Sequence, residues 1–577
     1  MKKFIKILVV ALFIFVVTIA LVACEEKSTH KGDFTHEINN VDDLKKVSEM
    51  LGADYDKGVF ELNTDIAINE NWETIGDTVD KSFRGTFNGN GHTITYTINI
   101  PEPEERDVQN PIADDKAYGL FGVIHNAKIT NLVLNVNIIV PADANSFYVG
   151  GLAGLMSGNN TISNVTINGN IATTLGDIRK IIDETDGYVL REPERYDMTV
   201  FVGGLAGFIQ GNTAINGVNS SVNINVGAYG TSAGINDLFV GGVAGSMRTV
   251  NISSLRDNTE YCSAKNLTFT GSIDATGSLV NVGGIFGAAY RVNDGEKWFT
   301  NTSSINAQAY RRLRIGGIAG VLDRVNLNKT RVDMNSINAN IFSQSASRSF
   351  NIGGLVGYVA NFSSINNAVS DVDKICVSTD VSNYTGGLIG MLHFSNVTNA
   401  TSSGELYYGS QTIMNINQIR YEGSTQKNHY YIYNGGMIGR VYGESKMNNV
   451  STSFKAYQGL VGEVANAVEI VIIKEAEGET FDAWFANTVY DAGMTISAKE
   501  GKLEKGEQKY KIIHKYDLSN EINGETNLSF VSTNSKCYND KVIYAKAQEW
   551  YNGIGVEQVD TTAFDALRTT IITNINA

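Results

Sequence analysis

The stretch YVGGLAG, residues 148–154, recurs as FVGGLAG at 201–207 and as FVGGVAG at 239–245. It carries no acid, base or nucleophile, so its recurrence points to architecture. Shorter forms extend the series: GLFG at 119, GGIFG at 283, GGIAG at 316, GGLVG at 353, GGLIG at 386, GGMIG at 435 and GLVG at 459. Counted from the glycine before the Leu, Ile, Val or Met, successive copies lie 32, 53, 38, 42, 33, 37, 33, 49 and 23 residues apart. Apart from the short last interval, this describes a unit with a floor near 32 residues and loops inserted into it. Such arrays bury each unit's apolar face against its neighbours.

A second pattern keeps step with the first. Apolar-x-Asn-apolar occurs at Ile129/Asn131/Leu132, Ile162/Asn164/Val165, Phe394/Asn396/Val397 and Met447/Asn449/Val450, with Ile215/Gly217/Val218 and Ile365/Asn367/Ala368 as variants. Asn and Gly enter positive φ at little cost, so both suit a position where the chain must turn. Turns stacked at about 4.8 Å would place Asn above Asn in hydrogen-bonded ladders. These two patterns predict an all-β chain coiled as a stack of parallel strands.

Composition agrees with a real core. The 577 residues are 42% hydrophobic and 19% charged, with 58 glycines and five prolines, none after Pro193. Those values fit neither a disordered chain nor a polytopic membrane protein. A formal charge of −15 repels nucleic acid and polyanions unless basic residues cluster, and no such patch is expected.

The N-terminus reads as an export signal. MKKFIK is followed by an apolar run, Ile7 to Ala23, that ends in LVAC, Leu21 to Cys24. This resembles the bacterial lipoprotein signal, and the resemblance implies cleavage before Cys24, diacylation of that cysteine and a lipid-anchored protein on the outer face of the cell membrane. Two acyl chains suffice for stable anchoring. Residues 1–23 are then the signal peptide and 24–35 a polar tether.

Beyond the tether, Asn40 is a plausible N-cap for a short helix that places Val41, Leu44, Val47 and Leu51 on one face, with Gly52 as its stop. SFRGTFNGNGHTITYTINI reads as two strands about an Asn-Gly hairpin turn at 88–91. The SFRGTFNGNGHTI stretch, the following YGLFGVIHNAKITNLVL and the GLxG repeats together resemble the GLUG-motif family over roughly 35–462. The resemblance implies a right-handed parallel β-helix, or β-solenoid, on bacterial surface proteins, including adhesin-like ones and the non-catalytic parts of IgA-cleaving metallopeptidases. It implies fold more than activity. The chain then divides into an N-terminal helical cap and first rungs over 36–118, the repeat β-helix over 119–462, and a C-terminal cap or small module over 463–577, in which TTAFDALRTTIITNI reads as a helix.

No catalytic motif emerges. A zinc peptidase needs HExxH, and His36 and Glu37 are followed by Asn40 in place of the second histidine. NTD at 63–65 matches one element of pectin-degrading enzymes without the others. GNGHT around His92 lacks the third glycine of a phosphate loop. Asp114 and Asp115 are too few for a calcium site, and Cys262, Cys376 and Cys537 lie in no metal-binding spacing. The sequence predicts no cofactor, no metal site and no catalytic residue. Two insertions stand out: the charged 173–198 and the segment 405–433, where Tyr421, His429, Tyr430, Tyr431 and Tyr433 form the expected recognition patch for a host protein or glycan. Adhesion or ligand binding is the leading expectation, with a carbohydrate-active enzyme and a passive spacer as alternatives.

Overall fold

A computed structural model describes residues 33–101, 115–142, 146–175, 198–228, 236–249, 261–341, 350–379, 383–408, 432–442, 445–454, 461–465, 471–474, 510–513 and 561–577. The chain is all-β in class, with parallel strands throughout the repeats. Each full repeat runs through the same three stretches. The second GLxG copy shows them as a strand ending at the first glycine, Ser146–Gly150, a five-residue strand, Ala153–Ser157, and a long strand, Thr161–Leu175. All three pair in parallel with their counterparts one repeat on: Tyr148 opposes Phe201, Leu155 opposes Phe208 and Ile162 opposes Ile215.

The five-residue strands build a ten-stranded sheet in strict chain order from Phe121–His125 to Val461–Ala465. The other two stretches join a 22-stranded sheet. Partners in the small sheet follow the motif: Phe121, Ala153, Ala206, Ala244, Phe286, Ala319, Val356, Ile389, Ile438 and Val461 are successive neighbours. Even the short last interval supplies a paired strand. Alternation along the strands sends Phe147, Val149, Leu152, Met156, Ile162, Val165 and Ile167 into one apolar core that continues from Ile38 to Phe454.

Long strands bend at a left-handed residue. Asn131, Asn164, Asn266, Asn367, Asn399 and Asn449 have φ between 50 and 54°, and Gly217 has 70°. Their amides form the predicted ladders, as Asn164 Nδ2 donates to Asn131 Oδ1 at 3.1 Å and Asn449 Nδ2 to Asn399 Oδ1 at 2.7 Å. One assignment from the sequence needs correction. The bend at Phe394/Asn396/Val397 falls at Asn399, because Val397 opposes Ile365 and so starts the unit, while Phe394 is itself the left-handed residue of the preceding corner. Lys297 and Lys329 take the same position at 56 and 57° in repeats where no Asn marks it. Asn164→Ala is therefore expected to cost about 1 kcal/mol, the price of a left-handed β-carbon, while Asn164→Gly stays close to wild type; urea midpoints of the two variants check this.

The expected hairpin at 88–91 is a corner instead. Thr86–Asn88 and Thr93–Asn99 do not pair with each other; both lie parallel on Lys128–Ala142. The N-terminal helix is Val41–Lys46, continued by a 3-10 turn, Val47–Glu49, with the Asn40 side chain accepting from the Asp43 amide. At the other end, helix Thr561–Asn576 lays Ile571 and Ile575 on Val369 with Phe299, Leu567 and Ile572 around them, and Arg568 pairs with Asp371. Val471–Lys474 and Tyr510–Ile513 form a separate antiparallel pair. No helix among the described residues is long and apolar enough to cross a membrane.

A candidate functional site in the cleft between the two sheets

The motif glycines explain a cleft on the outside of the fold. They do not adopt positive φ, unlike the corner glycine Gly217. Their role is close approach. A β-carbon on Gly154 would lie 2.6 Å from the Tyr118 amide nitrogen of the other sheet, and one on Gly357 would lie 2.7 Å from that of Ile315. Backbone thus meets backbone behind the motif, and outward side chains from the two sheets converge.

One wall of the cleft is the residue two before the first motif glycine. Registers give this file as Tyr148, Phe201, Phe239, Asn281, Arg314, Asn351 and Tyr384. The ten-stranded sheet supplies the facing file, Leu155, Phe208, Ser246 and Ala288, then Val321, Tyr358, Met391 and Arg440.

The first half of the cleft is aromatic. Tyr148, Phe201 and Phe239 stack with centroids 5.5 and 5.0 Å apart and planes within 16°, and Phe208 joins across the cleft at 4.6 Å from Phe201. Arg248 places its guanidinium 4.5 Å from the Phe208 ring centre. Such stacks and cation–π contacts each add about 0.5–1.5 kcal/mol. With ring stacked on ring, this half stiffens the cleft.

The second half is polar. The Arg314 guanidinium sits 4.6 Å from the centre of Tyr358, whose hydroxyl lies 3.1 Å from His393 Nδ1. Arg440 lies 4.9 Å from the ring centre of Tyr384 and donates from Nη1 to its hydroxyl at 2.7 Å. Arg312 pairs with Asp237 at 3.1 Å. Burial, then the nearby Arg312 charge, pushes Arg314 down to about 10, which leaves it protonated at neutral pH. Burial also lowers His393, with Asp323 opposing, and raises Asp323, with the Asn361 amide at 2.7 Å opposing. Asn281 and Asn351, each 1% exposed, keep a side-chain oxygen with no hydrogen-bond partner.

The expected recognition patch does not assemble as the sequence suggested. Tyr421, His429, Tyr430 and Tyr431 lie outside the described residues, as does Cys24. Tyr433 belongs to strand Ile432–Gly435, whose backbone register sets it opposite Tyr384. Asp65, from the NTD triplet, accepts from the Thr93 amide at 2.9 Å and lies 3.2 Å from His92 Nδ1, which fastens a corner. Asp115 receives a long contact from the Tyr148 hydroxyl at 3.5 Å, and Asp114 is outside the described residues. Cys262 is buried and its thiol is pushed up to about 12 by that burial; Cys376 is half-buried and free. No three His, Cys, Asp or Glu side chains among the described residues are grouped to hold a metal ion.

Arg314, Tyr358, Tyr384 and Arg440 were missed from the sequence because they are 126 residues apart from first to last. A usable signal existed: the position two before the first motif glycine gives Arg314 and Tyr384, and the position just after the last motif glycine gives Tyr358 and Arg440. Comparison with known protein families, with characterised proteins and with solved structures found no match to this chain.

Proposed function

We propose that this chain is a GLUG-type surface lipoprotein, anchored through Cys24 and folded as a right-handed parallel β-helix, that binds a ligand along its outer cleft. Parallel pairing one repeat apart in both sheets supports the coil, and the LVAC segment supports the anchor. Ten stacked strands at about 4.8 Å give a wall of roughly 45 Å on which the cleft runs. The observation that carries the binding reading is the polar half of the cleft, where arginine and tyrosine side chains from both sheets converge instead of the inert small residues a plain wall would carry. These are the side chains most enriched in recognition surfaces.

A carbohydrate-active enzyme would need two available carboxylates facing each other. Of those nearest the cleft, Asp237 is paired with Arg312 and Asp323 holds Asn361 through Oδ2 alone, so the two do not form a free facing pair, which favours recognition over turnover. The spacer reading draws on the long strands, where Asn135, Asn168 and Ser221 form a hydrogen-bonded polar file with no convergent group. A glycan and host-protein array probed with the full-length chain tests the proposal. Tyr358→Ala is expected to reduce binding of the main ligand about tenfold with an unchanged melting profile. Equal binding by wild type and variant would remove the cleft as the site.

A further inference from the structure

The polar half of the cleft leaves a specific set of bonding needs unmet. Arg314 Nε is a buried donor without an acceptor, and so is Arg312 Nε one residue pair away on the same strand face. Flanking Arg314 in register, Asn281 on one side and Asn351 on the other present buried Oδ1 atoms without a donor. Buried polar groups are almost always satisfied, and an orphan costs about 1–3 kcal/mol. Five such atoms gather here, since Asp323 Oδ1 also lacks a hydrogen bond although Arg324 lies 3.5 Å away. An unmet cationic donor set between acceptors one strand spacing away, about 4.8 Å, matches a partner that offers an oxyanion beside hydroxyl donors.

We infer that the cleft around Arg314 and Asn351 takes an acidic sugar, a unit carrying carboxylate or sulfate next to free hydroxyls. The inference rests on the cleft being a ligand site. The anion pairs with Arg314, whose guanidinium is fixed in place by the Tyr358 ring. Hydroxyls donate to Asn281 and Asn351. Tyr384 and Arg440 extend the surface further along the coil, so a second unit of a polymer meets similar chemistry. This also revises the expectation drawn from charge. The chain is acidic overall, yet folding brings Arg248, the Arg312/Arg314 pair of one strand, and Arg440 from three different repeats onto one cleft. A local cationic strip captures an anion that the mean charge would repel.

The test titrates the full-length chain by calorimetry with four probes of matched concentration: an oligogalacturonate, a heparin-derived oligosaccharide, a neutral cello-oligosaccharide of equal length, and inorganic sulfate. One acidic oligosaccharide is expected to bind at least tenfold more tightly than the neutral one and than sulfate, with affinity falling as salt rises. The two acidic probes separate carboxylate from sulfate. Arg314→Gln and Arg314→Lys are both expected to lose tenfold or more, the second because Lys keeps the charge but lacks the Nε donor and the planar fork. Lys45→Gln, at an exposed ion pair far from the cleft, should bind as wild type does. Neutral and acidic sugars bound alike, with loss in Tyr358→Ala, would overturn the acidic-sugar inference while the cleft remained a binding site. Sulfate bound as tightly as the sugars would reduce the site to an anion hole and overturn it too. No binding by any probe, with a glycan-independent protein ligand lost in Tyr358→Ala, would again separate the two claims by refuting this one alone.

Discussion

Gly320→Val is expected to lower the stability of the array by about 3 kcal/mol or more, read as a large drop in urea midpoint by circular dichroism. A β-carbon there would stand 2.6 Å from Gly287 O, 2.7 Å from the Val282 amide nitrogen and 2.8 Å from Arg314 O. All three are backbone atoms, and none can swing aside as a side-chain tip would. To admit even a methyl group, the two sheets must separate at this repeat, and Val adds two further carbons. The control is Gly227→Ala. Gly227 has no atom within 4 Å of its would-be β-carbon and no positive φ, so substitution should leave stability unchanged or raise it by about 0.4–1 kcal/mol through the unfolded chain. Each unit leans on its neighbours, so a single defect need not melt the whole array at once. Hydrogen exchange resolved by repeat should show the loss centred on 287–357. Gly320 also abuts the strand that carries Arg314, so the same variant should weaken ligand binding.

The contrast between these two glycines shows what was readable in the chain and what was not. The spacing of the GLxG copies translated directly into strand register, because each copy is one strand of the small sheet and a parallel ladder conserves chain offset from one partner to the next. The Asn corners were legible for a similar reason: left-handed φ restricts residue choice, and Asn131, Asn164 and Asn449 advertise it. Lys297 and Lys329 adopt the same backbone silently, since a side chain with no αL preference can be held there by the register of flanking repeats. The cause of the motif itself was only partly legible. Local reasoning assigns glycine to turning, whereas Gly154 and Gly320 are demanded by a strand roughly 30 to 40 residues earlier in sequence, and nothing local reports such a contact. The cleft was hidden likewise. Arg314 and Tyr358 lie in different repeats and different sheets, and their meeting depends on the close approach the glycines permit.

Trp298→Ala is expected to cost about 3–5 kcal/mol from lost volume, and more from the carbonyl it abandons. The indole is wholly buried, 4.9 Å edge-to-face from Phe286, and its Nε1 donates to Ala264 O at 2.8 Å. Ala at this position leaves a cavity in a narrow interior that has little freedom to collapse, since each wall is fixed by backbone ladders on both sides. It also strands a buried acceptor. Trp298→Phe separates these contributions: it retains most of the apolar contact with Phe286 and forfeits the hydrogen bond, so about 1–3 kcal/mol is expected from that variant alone. Should the two variants fall equally, the hydrogen bond would outweigh the packing and the cavity argument would fail. Trp298 and Arg314 share one continuous strand, Val292–Gly316, which ties the core to the cleft. Under conditions where Trp298→Phe remains folded, ligand affinity should therefore stay near wild type, because the strand's register with Asn351 is set by its ladder partners and the ring still fills the interior; Trp298→Ala, which lets that strand shift, should lose affinity and stability together.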